Sequence, residues 1–311
     1  MDSIDFTAFE HTQWERNCQF SAAMVVAYEF IMQFPKEVDL FWRRPQWTFA
    51  KGLFLFNRYF SLGFNIGNAA AFMQRDASAK AGTNFFHWQN GGSALQFILT
   101  QMILSLRLYA MYERSKKLLA FLVILLTTEL TGFIILLELP TPGLVATNNP
   151  STDLFICADG DPPHHRHWIA YVPVMLLITE FILFMLAVFK AWQQYRSNSP
   201  SGRILPRLTK ESVWFFFGIV LCHLGTVVTW MMNILTLNEL WTGYSFSIPA
   251  VLANRLLISV REQVDFVSDT MVTENALEFK RTPAALRREV EDTTTFTTNT
   301  FELSTVARGD V

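Results

Sequence analysis

The sequence predicts an all-α integral membrane protein, built as a bundle of seven transmembrane helices. The first observation is composition, because charged residues make up 17% of the 311-residue chain, below the ~25% of ordinary soluble chains. The second is a set of seven long apolar runs, most of them reaching the ~20 residues that a helix needs to cross a bilayer. The third is the alternation of Lys and Arg between successive connectors, which predicts an orientation.

The apolar runs define a predicted membrane domain over residues 17–260. In lipid they must be helices, because each backbone polar group has to be satisfied within its own segment. The fourth run is the clearest, reading LLAFLVILLTTELTGFIILLEL, and the first is the shortest. The seven predicted spans are residues 17–34, 47–73, 91–112, 118–139, 168–192, 212–237 and 241–260.

The connectors carry Lys and Arg unequally, with ten in the first, third and fifth connectors and four on the opposite side. Cytosolic connectors of membrane proteins are the ones rich in Lys and Arg. We therefore expect the amino terminus outside and the carboxyl terminus in the cytosol. The ten residues are Lys36, Arg43, Arg44, Arg114, Lys116, Lys117, Arg196, Arg203, Arg207 and Lys210.

The segments outside the membrane domain are polar. Residues 1–16 form a short outer segment, and residues 261–311 form a cytosolic tail that ends in a Thr-rich run. The tail has little apolar surface to bury, which predicts that it is largely disordered. Cys18 and Cys157 both lie on the predicted outer side, where a disulfide between them would tie the first span to the longest outer loop.

Six ionisable side chains fall at a similar depth when each span is counted inward from its own end. At 1.5 Å per residue they lie ~16 to 18 Å deep in a ~30 Å apolar core. An isolated ion at this depth costs at least ~2.5 kcal/mol, so these groups should face the interior of the bundle and pair. They are Glu29, Arg58, Glu129, Glu180, His223 and Arg255.

Glu29 and Arg58 are the first predicted ion pair, because they lie at similar depth on consecutive antiparallel spans. Together the six residues are candidates for a ligand pocket or for a charge switch between two helix arrangements. Simple attachment of one helix to another would explain them as well, and a proton relay through Glu129, Glu180 and His223 is a further alternative. Arg107, nearer the cytosolic end of the third span, is a candidate for coupling to a cytosolic partner, and an arginine that only extends its side chain to the membrane interface is the alternative.

The sequence contains no recognised catalytic motif. It lacks the H-E-x-x-H, G-x-S-x-G and P-loop patterns, and the last span has no lysine for a retinal Schiff base. The three cysteines form no C-x-x-C pair, and the histidine cluster at 164–167 fits no helix face, so no metal site is predicted. A net charge of −2 and the lack of a basic patch argue against nucleic-acid binding. We expect neither enzymatic activity nor a cofactor.

The stretch YEFIMQFPKEVDLFWRRPQWTFAKGLFLFNRY, residues 28–59, resembles the amino-terminal signature of a family of basidiomycete fungal membrane proteins of unknown function. The resemblance implies a seven-span fungal membrane protein, and it brings no established activity or site. Glu29 stands where the family commonly has Asp. The residues that carry the resemblance are Tyr28, Glu29, Glu37, Val38, Trp42, Trp47, Lys51, Arg58 and Tyr59.

These observations favour a receptor-like sensor in the plasma membrane or another membrane of the secretory pathway. Seven spans, an outside amino terminus and basic cytosolic connectors are typical of receptors, and this hypothesis implies a cytosolic signalling protein as a partner. The comparison is architectural, and architecture does not determine function. A proton-coupled transporter is the alternative that the midplane charges would support, and a purely structural role is another.

Overall fold

The computed structural model describes residues 6–43, 46–74, 79–138, 170–196, 204–232 and 237–281. Within these ranges the chain forms seven α-helices and one short π-helix. In chain order they are α1 (Phe6–Glu37), the π-helix (Val38–Trp42), α2 (Phe49–Phe72), α3 (Ala79–Met111), α4 (Lys116–Glu138), α5 (Tyr171–Arg196), α6 (Ile204–Met232) and α7 (Thr242–Arg281).

Each of these α-helices overlaps one predicted span, so the all-helical class is confirmed. Several helices are longer than the spans. α3 begins at Ala79 rather than at residue 91, and α6 begins at Ile204 rather than at residue 212. Hydropathy detects the apolar part of a helix, whereas the hydrogen-bonded helix continues through polar residues on either side of it.

Within the described ranges, four helices are long and apolar enough to cross a membrane, which indicates that the chain associates with one. They contain the segments Asn84–Met111, Lys116–Leu136, Tyr171–Arg196 and Ser212–Met232. In α4 only 17% of the apolar window is buried inside the protein, and in α5 and α6 the share is 33%. The corresponding share in α3 is 56%, which makes α3 the central helix of this group.

The chain divides into two compact units, Met1–Val260 and Arg261–Val311. The boundary lies within α7, which continues to Arg281. The helix therefore enters the segment whose composition predicts disorder, and the run ENALEFKR near its end is rich in residues of good helix propensity. The rest of that segment, residues 282–311, lies outside the described part of the chain, as does the histidine cluster at 164–167.

Successive helices pack against one another from α1 to α6, and α3 also contacts α5. One apolar cluster lies between the carboxyl-terminal part of α3 and its neighbours and contains Leu104, Leu108, Met111, Leu122, Leu183, Ala187, Phe216, Ile219 and Leu256. A second lies nearer the amino-terminal ends of α3 and α5 and contains Phe64, Phe97, Phe133, Val172, Leu176 and Phe246. The two clusters give the bundle an apolar core at each end.

The connections after α1 and α3 are tight. The π-helix ends at Trp42 and is capped by Arg43, whose backbone N–H donates to the carbonyl of Val38 at 3.1 Å. The turn between α3 and α4 places Glu113 and Arg114 at φ angles of 55° and 60°. Left-handed conformations of this kind let a short turn reverse the chain direction.

Candidate functional site

The six predicted midplane residues do not form one layer. Five of them are buried, since Glu29, Arg58, Glu129, Glu180 and His223 are all at most 4% exposed. The Arg255 side chain is 48% exposed. The structure distributes the six among two ion pairs, one carboxyl cluster and one cavity.

The Arg58 guanidinium is bound by Glu37, not by Glu29. Its Nε donates to Glu37 Oε2 at 2.7 Å, and its Nη2 donates to the carbonyl oxygen of Phe30 at 2.7 Å. The predicted Glu29–Arg58 pair is therefore wrong. The sequence pattern places Glu37 in a connector, whereas α1 extends to Glu37 and the long Arg58 side chain reaches it.

Glu37 is the centre of a polar cluster at the end of α1, and its side chain is fully buried. Besides the Arg58 bond, its Oε1 accepts from the Trp42 indole at 2.8 Å and from the Tyr59 hydroxyl at 3.1 Å. The Arg58 guanidinium also lies 4.6 Å from the centre of the Phe30 ring. This Glu37 cluster joins α1, the π-helix and α2 through residues of the signature stretch.

Glu29 pairs instead with Arg255 of α7. Arg255 Nε donates to Glu29 Oε1 at 2.6 Å, and Nη2 donates to Glu29 Oε2. This two-point geometry is the one in which a guanidinium and a carboxylate fit best. The sequence identified both residues but could not tell which of the two arginines each carboxylate would bind.

Glu129 and Glu180 lie together between α4, α5 and α3. The Gln101 amide donates to Glu129 Oε1 at 2.7 Å, and Glu180 interacts with both Glu129 and Gln101. Glu129 Oε2 and Glu180 Oε2 have no hydrogen-bond partner among the described residues. Two buried carboxyls on adjacent helices, bridged by one amide, can hold or pass a proton.

A network of neutral amides crosses the centre of the bundle, and the sequence reasoning missed it. Gln96 Nε2 donates to Asn57 Oδ1 at 2.7 Å, and Asn57 Nδ2 donates to Asn254 Oδ1 at 2.9 Å. The network links α3, α2 and α7. The sequence does contain a signal for this network, because polar residues recur on one face of α2 at a spacing of three or four. They are Asn57, Ser61, Asn65 and Asn68.

A cavity of about 70 Å³ lies at one end of the bundle. It is lined by the amino-terminal parts of α3, α5 and α7 and by the carboxyl-terminal parts of α4 and α6. Its polar lining consists of Gln89, Asn90, Ser93, His223, Thr226, Glu239, Thr242 and Ser245. Its apolar lining consists of Phe97, Phe133, Val172, Pro173, Leu176, Trp230 and Phe246.

His223 is the one predicted site residue that lines this cavity. Its Nδ1 lies 3.2 Å from the carbonyl oxygen of Ile219, one turn earlier in α6. Its Nε2 is buried and has no hydrogen-bond partner within the described ranges, and the same holds for Oε1 of Gln89. Unsatisfied buried polar atoms are costly, and in a cavity wall they mark places where a ligand or water binds.

Glu239 supplies the negative charge of the cavity. It accepts a hydrogen bond from Gln89 Nε2 at 3.0 Å, and its backbone N–H donates to Glu15 Oε1 at 3.2 Å. Burial raises the pKa of Glu239 to about 7, although hydrogen bonds from Gln89 and Thr242 act in the opposite direction. Sequence reasoning missed Glu239 because a carboxylate in a connector between two spans is usually solvated.

Glu15 of α1 lies next to the backbone of Glu239. Burial, followed by the charge of Glu239, raises the pKa of Glu15 to about 9, while the backbone hydrogen bond from Glu239 lowers it. Gln19, one turn later, donates through Nε2 to the Glu239 carbonyl oxygen at 2.6 Å. Two carboxyls therefore share a buried, amide-rich site at this end of the bundle.

Arg107 joins α3 to α6 at the end of the bundle opposite the cavity. Its Nε donates to Ser212 Oγ at 2.9 Å. Cys18 is a free, half-buried thiol, and Cys157, its predicted disulfide partner, lies outside the described residues. Among the described residues there is also no group of three or more His, Cys, Asp or Glu that could hold a metal ion.

One comparison with known proteins gives a match. Residues 17–63 match a family described as a family of unknown function (DUF6533). The matched segment holds Glu29 and all the residues of the Glu37 cluster, including its Arg58 and Tyr59. No curated protein and no solved structure matches the chain.

Proposed function

We propose that this membrane protein is a seven-span, receptor-like sensor that binds a small ligand in the cavity beside Glu239. The observation that carries the proposal is the cavity wall, where His223 Nε2 and Gln89 Oε1 are buried without partners among the described residues. Such atoms gain a hydrogen bond when a ligand binds. The proposal assigns no catalytic reaction to the chain.

The topology in this proposal has the amino terminus outside and the carboxyl terminus in the cytosol, in the plasma membrane or another membrane of the secretory pathway. The distribution of Lys and Arg supports it. The cavity lining supports the alternation of helix direction, because it uses the starts of α3, α5 and α7 and the ends of α4 and α6. In this topology the cavity opens towards the outside.

The signal would travel along α3 and α6, because both helices contact the cavity and the opposite end of the bundle. α6 carries His223 at the cavity and Ser212 eleven residues earlier, a distance of ~16 Å along a helix. α3 carries Gln89 at the cavity and Arg107 near its other end. A ligand that favours one arrangement of the two helices would shift the Arg107–Ser212 contact and expose a site for a cytosolic partner.

The proposal can be tested without knowing the ligand, by filling the cavity. Spin labels would be placed at Ala110 of α3 and Tyr195 of α5, both exposed at the end away from the cavity, after replacement of the three native cysteines. We expect Thr226→Trp to change the distance distribution between the labels, because the cavity and the opposite end are coupled in a sensor.

Val172→Trp provides a second way to fill the cavity if the first variant does not fold. Leu224→Trp is the matched control, because Leu224 lies on α6 but is 45% exposed and does not line the cavity. An unchanged distribution in both folded cavity variants would overturn the sensor function.

A proton-coupled carrier is the second candidate, and the Glu129–Gln101–Glu180 cluster favours it. Vesicles containing the purified protein and an internal pH dye would report proton flux under an imposed voltage. A sensor gives no such flux. Flux that disappears in Glu129→Gln or Glu180→Gln would replace the sensor with a carrier, and a protein that shows neither flux nor coupled movement would have a structural role.

A further inference from the structure

The lining of the cavity beside Glu239 offers far more hydrogen-bond acceptors than donors. A Gln89 side-chain nitrogen donates to the Glu239 carboxylate at 3.0 Å, and a carboxylate can only accept. The Gln89 amide atom that has no hydrogen-bond partner among the described residues is therefore Oε1, which is an acceptor. Likewise, His223 Nδ1 faces a backbone carbonyl, so in the neutral imidazole Nδ1 carries the proton and Nε2 is an acceptor.

Three hydroxyl groups of the wall add to the same imbalance, because each donates its hydrogen to a backbone carbonyl of its own helix. Ser93 donates to Asn90 at 3.0 Å, and Ser245 donates to Thr242 at 2.8 Å. Thr226 donates to the carbonyl of Cys222 at 3.3 Å. The lone pairs of these oxygens remain available to a ligand.

The charge and the aromatic side chains of the cavity also favour a positively charged ligand. Among the described residues that line the cavity, Glu239 and His223 are the ionisable ones, and none of them is Lys or Arg. The rings of Phe97, Phe133 and Phe246 present surfaces that attract a cation as well as apolar groups.

The volume limits the size of the group that binds. At about 70 Å³, the cavity has about half the volume of a ~150 Å³ apolar cavity that holds benzene. This space suits a headgroup of a few heavy atoms. Among the described lining residues, the Asn90 amide, the Trp230 indole and the second N–H of the Gln89 amide are available donors.

From these observations we infer that the cavity binds a small organic cation, an ammonium or guanidinium group, with Glu239 as its counter-ion and His223 Nε2 and Gln89 Oε1 as acceptors of its N–H hydrogens. This inference rests on the proposed sensor function and names its ligand class. A cation of this kind supplies two to five N–H donors and accepts no hydrogen bond. It therefore satisfies the unpaired acceptors and balances the carboxylate.

The test uses the full chain in nanodiscs of zwitterionic lipid. Methylguanidinium and ethylammonium are the probes, N-methylurea and ethanol are their neutral counterparts, and acetate is the anion. Melting temperature and calorimetric affinity are measured for each compound. We expect at least one cation to bind and to raise the melting temperature, while its neutral counterpart and acetate do not.

Glu239→Gln removes the counter-ion with little change of shape, and we expect the affinity for the cation to fall about 10- to 100-fold, the usual loss when a charge-assisted hydrogen bond is removed. Glu10→Gln is the matched control, because Glu10 is an exposed carboxyl of α1; it should leave the affinity unchanged. Thr226→Trp should abolish binding by filling the cavity. Equal binding of a cation and its neutral counterpart, or an unchanged affinity in Glu239→Gln, would overturn the inference.

The spin-label pair at Ala110 and Tyr195 separates the failure of the ligand class from the failure of the sensor. If no cation binds but Thr226→Trp still changes the label distances, the sensor stands and the ligand class is wrong. If a cation binds in a Glu239-dependent manner and neither it nor the filled cavity moves the labels, the ligand class stands and the sensor is wrong.

Discussion

The two sides of the bundle are held together by different forces. On one side α1, α2 and α7 are joined by the ion pairs Glu37–Arg58 and Glu29–Arg255 and by the amide bond from Asn57 to Asn254. On the other side α4, α5 and α6 pack mainly through apolar side chains, with the Glu129–Gln101–Glu180 cluster as the polar exception described above, and direct most of their surface outwards. α3 contributes to both sides, with Gln96 on the polar side and Leu104 on the apolar side.

This difference explains why only part of the bundle is recognised by hydropathy. The four candidate spans are α3 to α6, whereas the polar side chains of α1, α2 and α7 lower the mean hydropathy of those helices. In the proposed topology these polar groups are tolerated in the membrane because a neighbouring helix pairs them. Hydropathy alone therefore does not decide whether a helix can cross the membrane, because the pairing of its polar groups is a property of the assembled protein.

Charge reversal on the polar side has the largest expected effect. Glu29→Arg places two guanidinium groups against each other, and we expect little folded protein from it or from Arg255→Glu. The double exchange should restore the yield of monodisperse protein, measured by size-exclusion chromatography. Glu29→Arg with Arg58→Glu is the control and should restore nothing, because Arg58 binds Glu37. The opposite result would restore the pairing that the sequence favoured.

Removing one partner of the Glu37–Arg58 pair comes next. Arg58→Met leaves a fully buried carboxylate without its ion-pair partner, which typically costs about 3–5 kcal/mol of unfolding free energy. Arg43→Met is the matched control, because the Arg43–Asp39 pair is exposed and such pairs contribute at most ~1 kcal/mol. Denaturant unfolding in detergent measures the free energy of unfolding of both variants.

The double variant Arg58→Met with Glu37→Leu should recover much of the loss, since it removes the uncompensated charge as well. A single variant that unfolds like the control would show that the pair contributes little to stability.

Disrupting the amide network has a smaller effect. Asn57→Leu leaves Gln96 and Asn254 without this partner, and we expect a loss of about 1–3 kcal/mol for the buried groups left unpaired. Thr128→Leu on the apolar side is the control, because Thr128 is exposed and bonds only to the carbonyl of Ile124 one turn earlier. If the two substitutions cost the same, the polar side does not depend on its network.

The pH dependence of stability is the smallest expected effect. The raised pKa values of Glu239 and Glu15 favour their neutral forms in the folded state, so their contribution is complete below pH 4.5 and is lost as the pH rises through about 7 and then about 9. We expect the melting temperature to fall by roughly a few °C between pH 5 and pH 9. Among the described residues, Glu15 from α1, Gln89 from α3 and Thr242 on α7 interact with Glu239, and His223 from α6 lines the same cavity.

Glu239→Gln should flatten the part of this profile below about pH 7, whereas Glu10→Gln should follow the wild-type curve. Binding of an organic cation changes in the opposite direction, because ionisation of Glu239 strengthens its attraction. The affinity for methylguanidinium should therefore rise as the pH increases through about 7. A pH-independent affinity would show that Glu239 is not its counter-ion.

The sequence identified most of the ionisable side chains inside the bundle, since a charge within an apolar run is visible without a structure. It did not identify the partners of these charges. Glu37 was taken for a connector residue, and its cluster appeared only once α1 was seen to continue through it. Glu239 was missed for the same reason, because a connector that is buried by neighbouring helices looks like a solvated one in the sequence.

By itself the sequence determined the all-helical class and the approximate place of each helix, because the backbone of every apolar run must satisfy its hydrogen bonds locally. The tertiary structure decided which charges pair. Arg58 and Arg255 are both arginines within apolar runs, so the sequence does not distinguish their partners. In the structure Arg58 contacts Glu37 and Arg255 contacts Glu29. The tertiary structure also decided that acceptors from four different elements surround one cavity. That arrangement depends on helix packing over separations of more than a hundred residues, for which the local pattern carries no signal.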